Sequence, residues 1–415
     1  MESQSPSAEP HIDVLPDTAG ISRRRLLPMI GAAGLAGMAP RAFSRDDGFG
    51  RPGNAVARYV YVGTYTAPDV PPGGTHPSTA VGISVFRLHP SDGGLTLVQV
   101  VTASNPSYLA LDPSLTRLYS VNENMAGSVS AYLINPANGQ LIFLNSALAN
   151  GQFTTHISVH PSGRYLMAAN YGTGNVPVFR LNADGSIGPK TADFQGVGNG
   201  TGANPARQEG PHAHQVITDL QARHLFCVDL GADKVNVLDL DLGTGGVSAN
   251  VVPFVNSASG SGPRHMAFHP DGVHAYVLNE LASTINVFAY DPVRGALVWI
   301  QTISTLPRDF IGTNTTAEIR VHPSGKFLYN TNRGHNSVAM IEIQGDGTLE
   351  SLGWESTFGQ WPRGMNIEPS GTFLYAANQN TDSITVFRIG HNGRLQRSAI
   401  VNTPTPVDVE FGAPV

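Results

Sequence analysis

The chain has 415 residues and a hydrophobic fraction of 41%, which is enough for a sizeable core and excludes a chain that is disordered throughout. Only 13% of the residues are charged, and the 46 glycines and 30 prolines indicate many turns between short strands. The net charge of -6 provides no basic field for nucleic acid or anionic lipid, so we expect no nucleic-acid partner.

The first 42 residues have the pattern of an export signal rather than that of a folded domain. A polar stretch leads into the basic segment SRRRLL at Ser22, and a Gly/Ala-rich apolar run then extends to Met38. This order resembles a twin-arginine signal, and the apolar run is too short to anchor the chain in a bilayer. A disordered basic tail is the alternative explanation. From the twin-arginine pattern and the short apolar run, we expect a periplasmic or secreted protein that does not associate with a membrane after export.

An internal repeat dominates the chain from residue 59 onward. Its first strand is apolar and usually ends at a Pro-Gly-type turn, as in HISVHP from His156 and HMAFHP from His265. The copies start 46 to 58 residues apart, which is the length of one propeller blade. The six copies begin at Tyr108, His156, His214, His265, Glu318 and Gly364.

A second apolar strand follows each turn and ends in a polar pair. The pair begins 14 residues after the start of the copy, or 15 in the third copy. A third strand alternates apolar and polar residues, and a turn leads to a fourth. The remaining segments, 58–63, 83–86 and 407–411, complete a seventh repeat from both chain ends. We therefore predict an all-β, seven-bladed β-propeller over residues 58–412, closed by pairing of its N- and C-terminal strands.

The one cysteine, Cys227, lies in the apolar run 225–228. A single cysteine excludes an internal disulfide framework, paired-cysteine metal sites and covalent haem attachment. Because free cysteine is among the most buried residue types, we expect Cys227 to be a small core residue and not a nucleophile.

Short motifs recur in a fixed order along the repeat region. They are VGTYT at Val62, NPSYL at Asn105, VNE at Val121, ANY at Ala169, PHAH at Pro211, VDLG at Val228, GPRH at Gly262, LNEL at Leu278, AEI at Ala317, NRG at Asn332 and ANQ at Ala377. As an ordered set they resemble the bacterial propeller lactonases, a family that includes one type of 6-phosphogluconolactonase and a fungal carboxymuconate cyclase. The resemblance covers residues 58–412 and implies hydrolysis of a sugar lactone without a redox cofactor. Because one fold carries several reactions, it constrains the fold more than the substrate.

Two columns of polar side chains are predicted to meet at one end of the channel. The first strand of a blade lines the channel and the second strand returns to the same end. The start of the first strand and the end of the second therefore lie together at the mouth. The first column and the residues just before it comprise Tyr108, His156, His214, His265, Glu318, His212, Arg264 and Arg363. The second column contributes Glu123, Tyr171, Asp229, Glu280, Arg333 and Gln379.

These residue types suit hydrolysis of a lactone, which needs a base for water and donors for the developing oxyanion. A structural explanation is that the histidines are hydrogen-bonded channel residues and that the Asn and Asp residues of the second column stabilise turns. The histidines at the opposite end, His160, His269 and His322, are interpreted as blade architecture. The catalytic candidates are His156, His214, His265, Glu318 and Arg333. The substrate-binding candidates are His212, Arg264, Glu280, Arg363, Tyr171 and Gln379.

We expect no cofactor, with a divalent cation left open. The three histidines and Glu318 are able to bind a transition metal, and Glu280 with Asn and Asp side chains is able to bind calcium. Neither set has the short ligand spacing of a strong metal motif, and the same groups serve acid-base chemistry. No metal ligand is therefore assigned.

The leading hypothesis is a lactonase that acts on a small-molecule sugar lactone in the mouth of the channel. A cycloisomerase that forms or opens a lactone needs the same groups, and a non-catalytic exported binding propeller is the alternative from a different class. An export signal conflicts with an intracellular phosphosugar substrate and favours an unphosphorylated lactone, while the arginines leave the phosphorylated one chemically open. The insertion from Gln195 to Glu209 is expected at the mouth, where it would shape specificity.

Overall fold

A computed structural model describes residues 55–66, 77–200 and 204–415, which form seven four-stranded antiparallel sheets. The prediction of an all-β, seven-bladed β-propeller is confirmed. The predicted signal at residues 1–42 lies outside the described residues and stays a prediction.

Each blade is a meander of four strands that runs from the channel outward. Blade 1 has the order β28-β1-β2-β3, and blades 2 to 7 take the strands from β4 to β27 four at a time. The strands are β1 Arg58–Thr64, β2 Gly82–Leu88, β3 Leu95–Thr102, β4 Leu109–Leu111, β5 Arg117–Asn122, β6 Ser128–Ile134, β7 Leu141–Leu148, β8 Thr154–Val159, β9 Tyr165–Asn170, β10 Asn175–Leu181, β11 Ile187–Gln195, β12 Ala213–Thr218, β13 Leu225–Asp229 and β14 Lys234–Leu240. They continue with β15 Val247–Asn256, β16 Pro263–Phe268, β17 His274–Asn279, β18 Thr284–Asp291, β19 Ala296–Ser304, β20 Thr315–Val321, β21 Phe327–Arg333, β22 Ser337–Ile343, β23 Leu349–Ser356, β24 Pro362–Ile367, β25 Phe373–Asn378, β26 Ser383–Ile389, β27 Leu395–Asn402 and β28 Pro406–Pro414.

Helical structure is sparse in the part of the chain that the structure describes. It consists of two short 3-10 turns, Pro205–Arg207 and Gln379–Thr381. Within the same residues, no helix has the length and apolar character needed to cross a membrane.

The two chain ends meet in blade 1, as predicted. Strand β28 pairs antiparallel with β1, with Val62 opposite Val409 and Val60 opposite Phe411. The Asp408 carboxylate then accepts a hydrogen bond of 2.8 Å from the backbone N–H of Leu109 in blade 2. The C-terminal strand therefore closes the ring and covers the edge that β1 would otherwise expose.

The hydrophobic core is divided into clusters that lie between neighbouring blades. Between blades 7 and 1, for example, the buried residues Phe373 and Tyr375 pack with Val60 and Phe411. Cys227 is fully buried in the cluster between blades 3 and 4, which confirms its expected place in the core. Because each blade buries its faces only against its neighbours, stability depends on the closed ring.

Buried tyrosines on the second strands fasten neighbouring blades together. The Tyr329 hydroxyl donates to the carbonyl of Gly393 at 2.9 Å, and the Tyr375 hydroxyl donates to the carbonyl of Gly93 at 2.7 Å. Gly93 has a φ of 74°, and a Cβ atom there would lie 2.9 Å from the Phe373 ring. Glycine therefore allows the close approach of blade 1 to blade 7.

Candidate active site

A β-bulge near the start of the innermost strand directs a side chain into the mouth of the channel. In β16, Pro263 pairs with Asn279 and His265 pairs with Leu278, so the intervening Arg264 is the bulge residue. The same register shift occurs in β8, β12 and β24. A bulge leaves its extra residue unpaired and re-aims the side chain. The four bulge residues, here called the mouth ring, are Thr155, His214, Arg264 and Arg363.

The repeat alignment is wrong by one residue in the third copy. It places His214 at the position of His156, but the structure pairs Gln215 with Val228 in the same way that it pairs His156 with Ala169. Gln215 is therefore the true equivalent, and His214 belongs to the mouth ring. The 15-residue spacing of this copy, against 14 in the others, was the signal for the offset.

An open pocket lies at the mouth of the channel. It brings together five of the predicted site residues, and one residue of the insertion joins them. The predicted residues are His214, Arg333, Tyr171, Glu280 and Arg363, and the other lining residues are Glu123, Thr155 and Arg207.

Glu280 stands at the centre of a cluster of arginines. Its carboxylate lies 2.9 Å from Arg207 Nη2, 3.0 Å from Arg264 Nε and 2.9 Å from Arg333 Nη2. Burial alone would raise the pKa of Glu280, but the three guanidinium groups hold it well below its usual range. Burial, offset in part by Glu280, lowers the pKa of Arg333 to about 9. The Glu280 carboxylate holds the three arginines in place, but its single negative charge does not neutralise their three positive charges.

Arg363 is the arginine at the mouth whose guanidinium group has the fewest protein partners. Its guanidinium lies 5.1 Å from the centre of the Tyr65 ring, and it forms no ion pair with a carboxylate among the described residues. Glu123 lines the same pocket, but its carboxylate accepts hydrogen bonds from Tyr65 at 2.8 Å and Ser107 at 2.5 Å. Arg363 is therefore available to bind an anionic group of a ligand.

His214 is the mouth-ring residue best suited to move a proton. Burial and the nearby Arg264 guanidinium hold its pKa well below the usual value, so the imidazole is neutral at pH 7. Its Nδ1 atom is buried and has no hydrogen-bond partner among the described residues. Its ring lies 5.7 Å from the Tyr171 ring and 5.2 Å from the His265 ring. A neutral imidazole in this position has a lone pair that can accept a proton.

The other three predicted catalytic residues lie one position deeper in the channel. Together with Tyr108 and Gln215, they form what we call the inner ring: Tyr108, His156, Gln215, His265 and Glu318. The Tyr108 and His156 rings are 4.2 Å apart, and His265 Nδ1 lies 3.1 Å from Glu318. All three predicted residues are buried and none of them lines the pocket. They contact one another and lie behind His214.

The charges of the inner ring are set by its neighbours. Burial would raise the pKa of Glu318, but Arg320, 3.3 Å away, and His265 lower it to about 2. Burial lowers the pKa of His265 to about 4, with Glu318 opposing the shift, and burial also lowers the pKa of His156. Arg320 further donates to the Tyr108 hydroxyl at 3.2 Å. The inner ring thus holds an ionised carboxylate beside neutral histidines.

Three predicted substrate-binding residues, His212, Arg264 and Gln379, stand outside the pocket lining, and Arg264 is buried against Glu280. His212 stacks on the Tyr171 ring at 4.4 Å, and its Nδ1 lies 2.7 Å from the backbone carbonyl of Tyr171. It therefore supports Tyr171 from behind. Gln379 is almost completely buried at the end of β25.

Arg207 is the functional candidate that the repeat analysis missed. It belongs to the insertion between β11 and β12, and its Nε donates to the Tyr171 hydroxyl at 2.6 Å. Its guanidinium also lies 5.5 Å from the centre of the Tyr171 ring. The described part of the insertion thus reaches the mouth, as predicted, but nothing in the repeat pattern distinguished this arginine. No equivalent position exists in the other blades.

The carboxylates at the mouth are already engaged by protein groups and are poorly placed to bind a metal ion. A metal ion needs unpartnered carboxylate or imidazole atoms that converge. Glu280 is already bound by three arginines, and Glu123 by Tyr65 and Ser107. Among the described residues, the group of three His, Cys, Asp or Glu side chains close enough to share an ion lies elsewhere. The mouth is therefore better suited to an organic anion than to a resident cation.

Fold and site together define a seven-bladed β-propeller with a basic pocket in the mouth of its channel. Residues 59–411 match the family model described as Lactonase, 7-bladed beta-propeller. A 6-phosphogluconolactonase from Bacillus subtilis strain 168 is 35% identical over 312 residues, which cover 74% of this chain and 84% of that protein. The chain therefore belongs to the seven-bladed β-propeller lactonase family, which confirms the resemblance seen in its motifs.

Solved structures agree with this assignment. The periplasmic gluconolactonase of Pseudomonas aeruginosa superposes with a TM-score of 0.80 at 31% identity, over 86% of this chain and 100% of that chain. A putative 6-phosphogluconolactonase from Bacteroides fragilis superposes with a TM-score of 0.78 at 28% identity, over 86% of this chain and 98% of that chain. The similarity thus extends over nearly the whole length of these relatives.

Proposed function

We propose that this protein is a lactonase that hydrolyses a sugar lactone in the mouth pocket. The observation that carries the proposal is the presence, in one pocket, of the neutral His214 and a surplus of guanidinium groups. Ester hydrolysis needs a base for water and positive charge for the oxyanion, and these groups supply both. Family membership and relatives named as lactonases support the same activity.

In the proposed reaction, His214 takes a proton from a water molecule as the water oxygen attacks the carbonyl carbon of the lactone. The carbonyl oxygen becomes an oxyanion, to which Arg333 and Arg363 donate hydrogen bonds. The bond between the carbonyl carbon and the ring oxygen then breaks. The proton held by His214 passes to the ring oxygen, which leaves as a hydroxyl group. One water is added, the product is a hydroxy acid, and His214 is neutral again.

The inner ring is proposed to support His214 from beneath. The His265 ring lies 5.2 Å from the His214 ring, and Glu318 holds His265 through Nδ1. His156 lies 5.6 Å from His265 and fills the channel on the other side. The negative charge of Glu318 favours the transient imidazolium that forms when His214 takes up a proton.

The remaining candidates are proposed to shape and orient the pocket. Glu280 holds Arg333 and Arg264 in place, which fixes the direction of their donors. Tyr171, supported by His212, forms a wall on which a sugar ring can pack. Gln379 is buried at the end of β25 in blade 7 and is proposed to act through packing alone.

The proposed substrate is an unphosphorylated sugar lactone outside the cytoplasm. The twin-arginine pattern in residues 1–42 supports export, and a relative of the same fold is named a periplasmic gluconolactonase. Arg363 can also hold a phosphate bidentately, so a phosphorylated lactone is the matched comparison substrate.

The test is a lactonase assay on gluconolactone and 6-phosphogluconolactone, corrected for spontaneous hydrolysis and run with and without chelator. We expect saturable turnover, with a higher kcat/KM for gluconolactone. His214→Gln should lower kcat by about 10²- to 10⁴-fold, the range for loss of a general base. His89→Gln, at an exposed histidine in a turn of blade 1, is the control and should leave kcat unchanged. A folded protein without turnover on any lactone would favour a non-catalytic binding propeller.

A further inference from the structure

A turn at the far end of blade 5, remote from the mouth, brings two histidines and an aspartate together. His269 Nδ1 lies 3.0 Å from Asp271 Oδ2, and His274 Nδ1 lies 2.7 Å from the same oxygen. The ligand atoms of the three side chains all lie within 4.8 Å of one another. The sequence of this turn is HPDGVH. The far end of the channel therefore has a compact set of metal-ligating groups that the lactonase site does not use.

The same turn in blade 6 shows what is different about blade 5. There, His322 Nδ1 lies 2.8 Å from the hydroxyl of Ser324, which can donate its proton. In blade 5, Asp271 replaces this serine, and His274 replaces the aromatic Phe327 at the start of the next strand. Two substitutions in one turn thus convert a serine hydroxyl and a core aromatic into two metal-ligating groups.

Hydrogen bonds fix the tautomer of His269. Its Nε2 lies 2.8 Å from the carbonyl of Gly325, so Nε2 carries the proton and donates it. Its Nδ1 accepts a hydrogen bond of 3.2 Å from the backbone N–H of Asp271, which places the lone pair on Nδ1. The Asp271 Oδ2 atom lies 3.0 Å from the same nitrogen without a hydrogen bond between them, and an ionised carboxylate has no proton to donate. Two acceptors at 3.0 Å repel each other unless a positive charge lies between them.

We propose that His269, Asp271 and His274 bind a divalent transition metal ion, with zinc as the ion that suits the donor set best. Two imidazole nitrogens and one carboxylate oxygen, with water in the fourth position, form a common tetrahedral zinc environment. Zinc bonds of about 2.0–2.2 Å place neighbouring ligand atoms about 3.3 Å apart, so the two nitrogen–oxygen distances of 3.0 Å and 2.7 Å would lengthen by roughly 0.3–0.6 Å.

The surrounding contacts already orient the ligands. The backbone N–H of Val273 donates to Asp271 Oδ1 at 2.8 Å, which turns Oδ2 toward the histidines. The bond from His269 Nε2 to the Gly325 carbonyl is the outer contact typical of a metal-bound histidine. Because Gly325 belongs to blade 6, the ion would hold His269 in the orientation that bonds blade 5 to its neighbour. The site is therefore structural and lies outside the lactonase chemistry.

The test uses the full protein without a polyhistidine tag, treated with chelator and then titrated with zinc by calorimetry. We expect one zinc ion per chain and a higher Tm in the presence of zinc, because the ion binds only the folded turn. The variant Asp271→Ser/His274→Phe restores the blade 6 sequence at these positions and should bind zinc more than about 100-fold more weakly. His89→Gln is the control and should bind zinc as the unmodified protein does.

Cobalt provides a second measurement that does not depend on stability. Co²⁺ bound at this site should give the visible absorption of a tetrahedral ion, and the double variant should lose it. Absence of saturable binding, or equal binding by the double variant, would overturn the proposal and assign the positive charge to a proton on His269. Lactonase turnover should be the same in both proteins, so the outcome is independent of the proposed activity.

Discussion

On β8, β12 and β16 a mouth-ring residue lies directly before an inner-ring residue, yet the side chains of the two rings have different surroundings. In the mouth ring, His214 and Arg363 face an open pocket and have few protein partners. In the inner ring, His265 and Glu318 bond to each other and are buried. Polar residues that align in the repeat therefore do not all have the same role. The bulge decides which member of the column can meet a ligand.

The largest effect is expected when the strand that closes the propeller and supports both rings is removed. Deletion of residues 406–415 removes β28, the inner strand of blade 1, and with it the closing pair with β1. Because the ring then has an open edge and two unpacked blade faces, the loss should exceed the roughly 5–15 kcal/mol of a typical domain. Expression and circular dichroism would show no cooperatively folded protein. Deletion of residues 1–40 is the control, and an unchanged Tm is expected for it.

The second-largest effect is expected when the Glu280 carboxylate, which pairs with the arginines at the mouth, is removed. Glu280→Gln removes the carboxylate shared by Arg207, Arg264 and Arg333 and leaves three guanidinium groups to repel one another. We expect a loss of about 3–5 kcal/mol in the free energy of unfolding, measured in urea, and a loss of turnover. The same change at the exposed Glu350 should leave both quantities unchanged. Full stability in Glu280→Gln would show that the arginine cluster does not depend on its carboxylate.

Substitutions at the adjacent residues His214 and Gln215 allow a direct comparison of the mouth ring with the inner ring. His214→Gln in the mouth ring should lower kcat with little change in Tm. Gln215→Leu in the inner ring removes the acceptor of the Met266 N–H, a bond of 2.7 Å, and should cost about 1–3 kcal/mol of stability. Its kcat should change by only a few-fold. If Gln215→Leu abolished turnover in a folded protein, the functional distinction between the rings would fail.

The smallest effect is a change in the pH dependence of stability. The pKa of His265 is lowered from 6.5 to about 4, so between these values the unfolded chain binds a proton that the native protein does not. Stability therefore falls as the pH decreases through this window, and below about pH 4.5 the depressed pKa of Glu318 adds to the loss. His265→Gln should give a shallower decrease between pH 6.5 and 4. Urea midpoints at several pH values measure the slope, and an unchanged slope would contradict the assigned shift.

The sequence allowed the fold and most of the pocket to be predicted, because repeated strands impose a repeated geometry. The convergence of Tyr171, Glu280 and Arg333 follows from their equal position at the ends of second strands. Arg207 could not be found in this way because it lies in an insertion with no counterpart in other blades. The tautomer of His269 and its distance from Asp271 could not be predicted either, because they depend on the contact with Gly325 of the next blade.

By itself, the sequence determined the number of blades, the closure by the chain ends and the family, because these follow from hydrophobic periodicity and the order of motifs. Only the tertiary structure decided which residue of each inner strand faces the pocket. A β-bulge shifts the alternation of side chains by one residue, and its position depends on pairing with the next strand rather than on local composition.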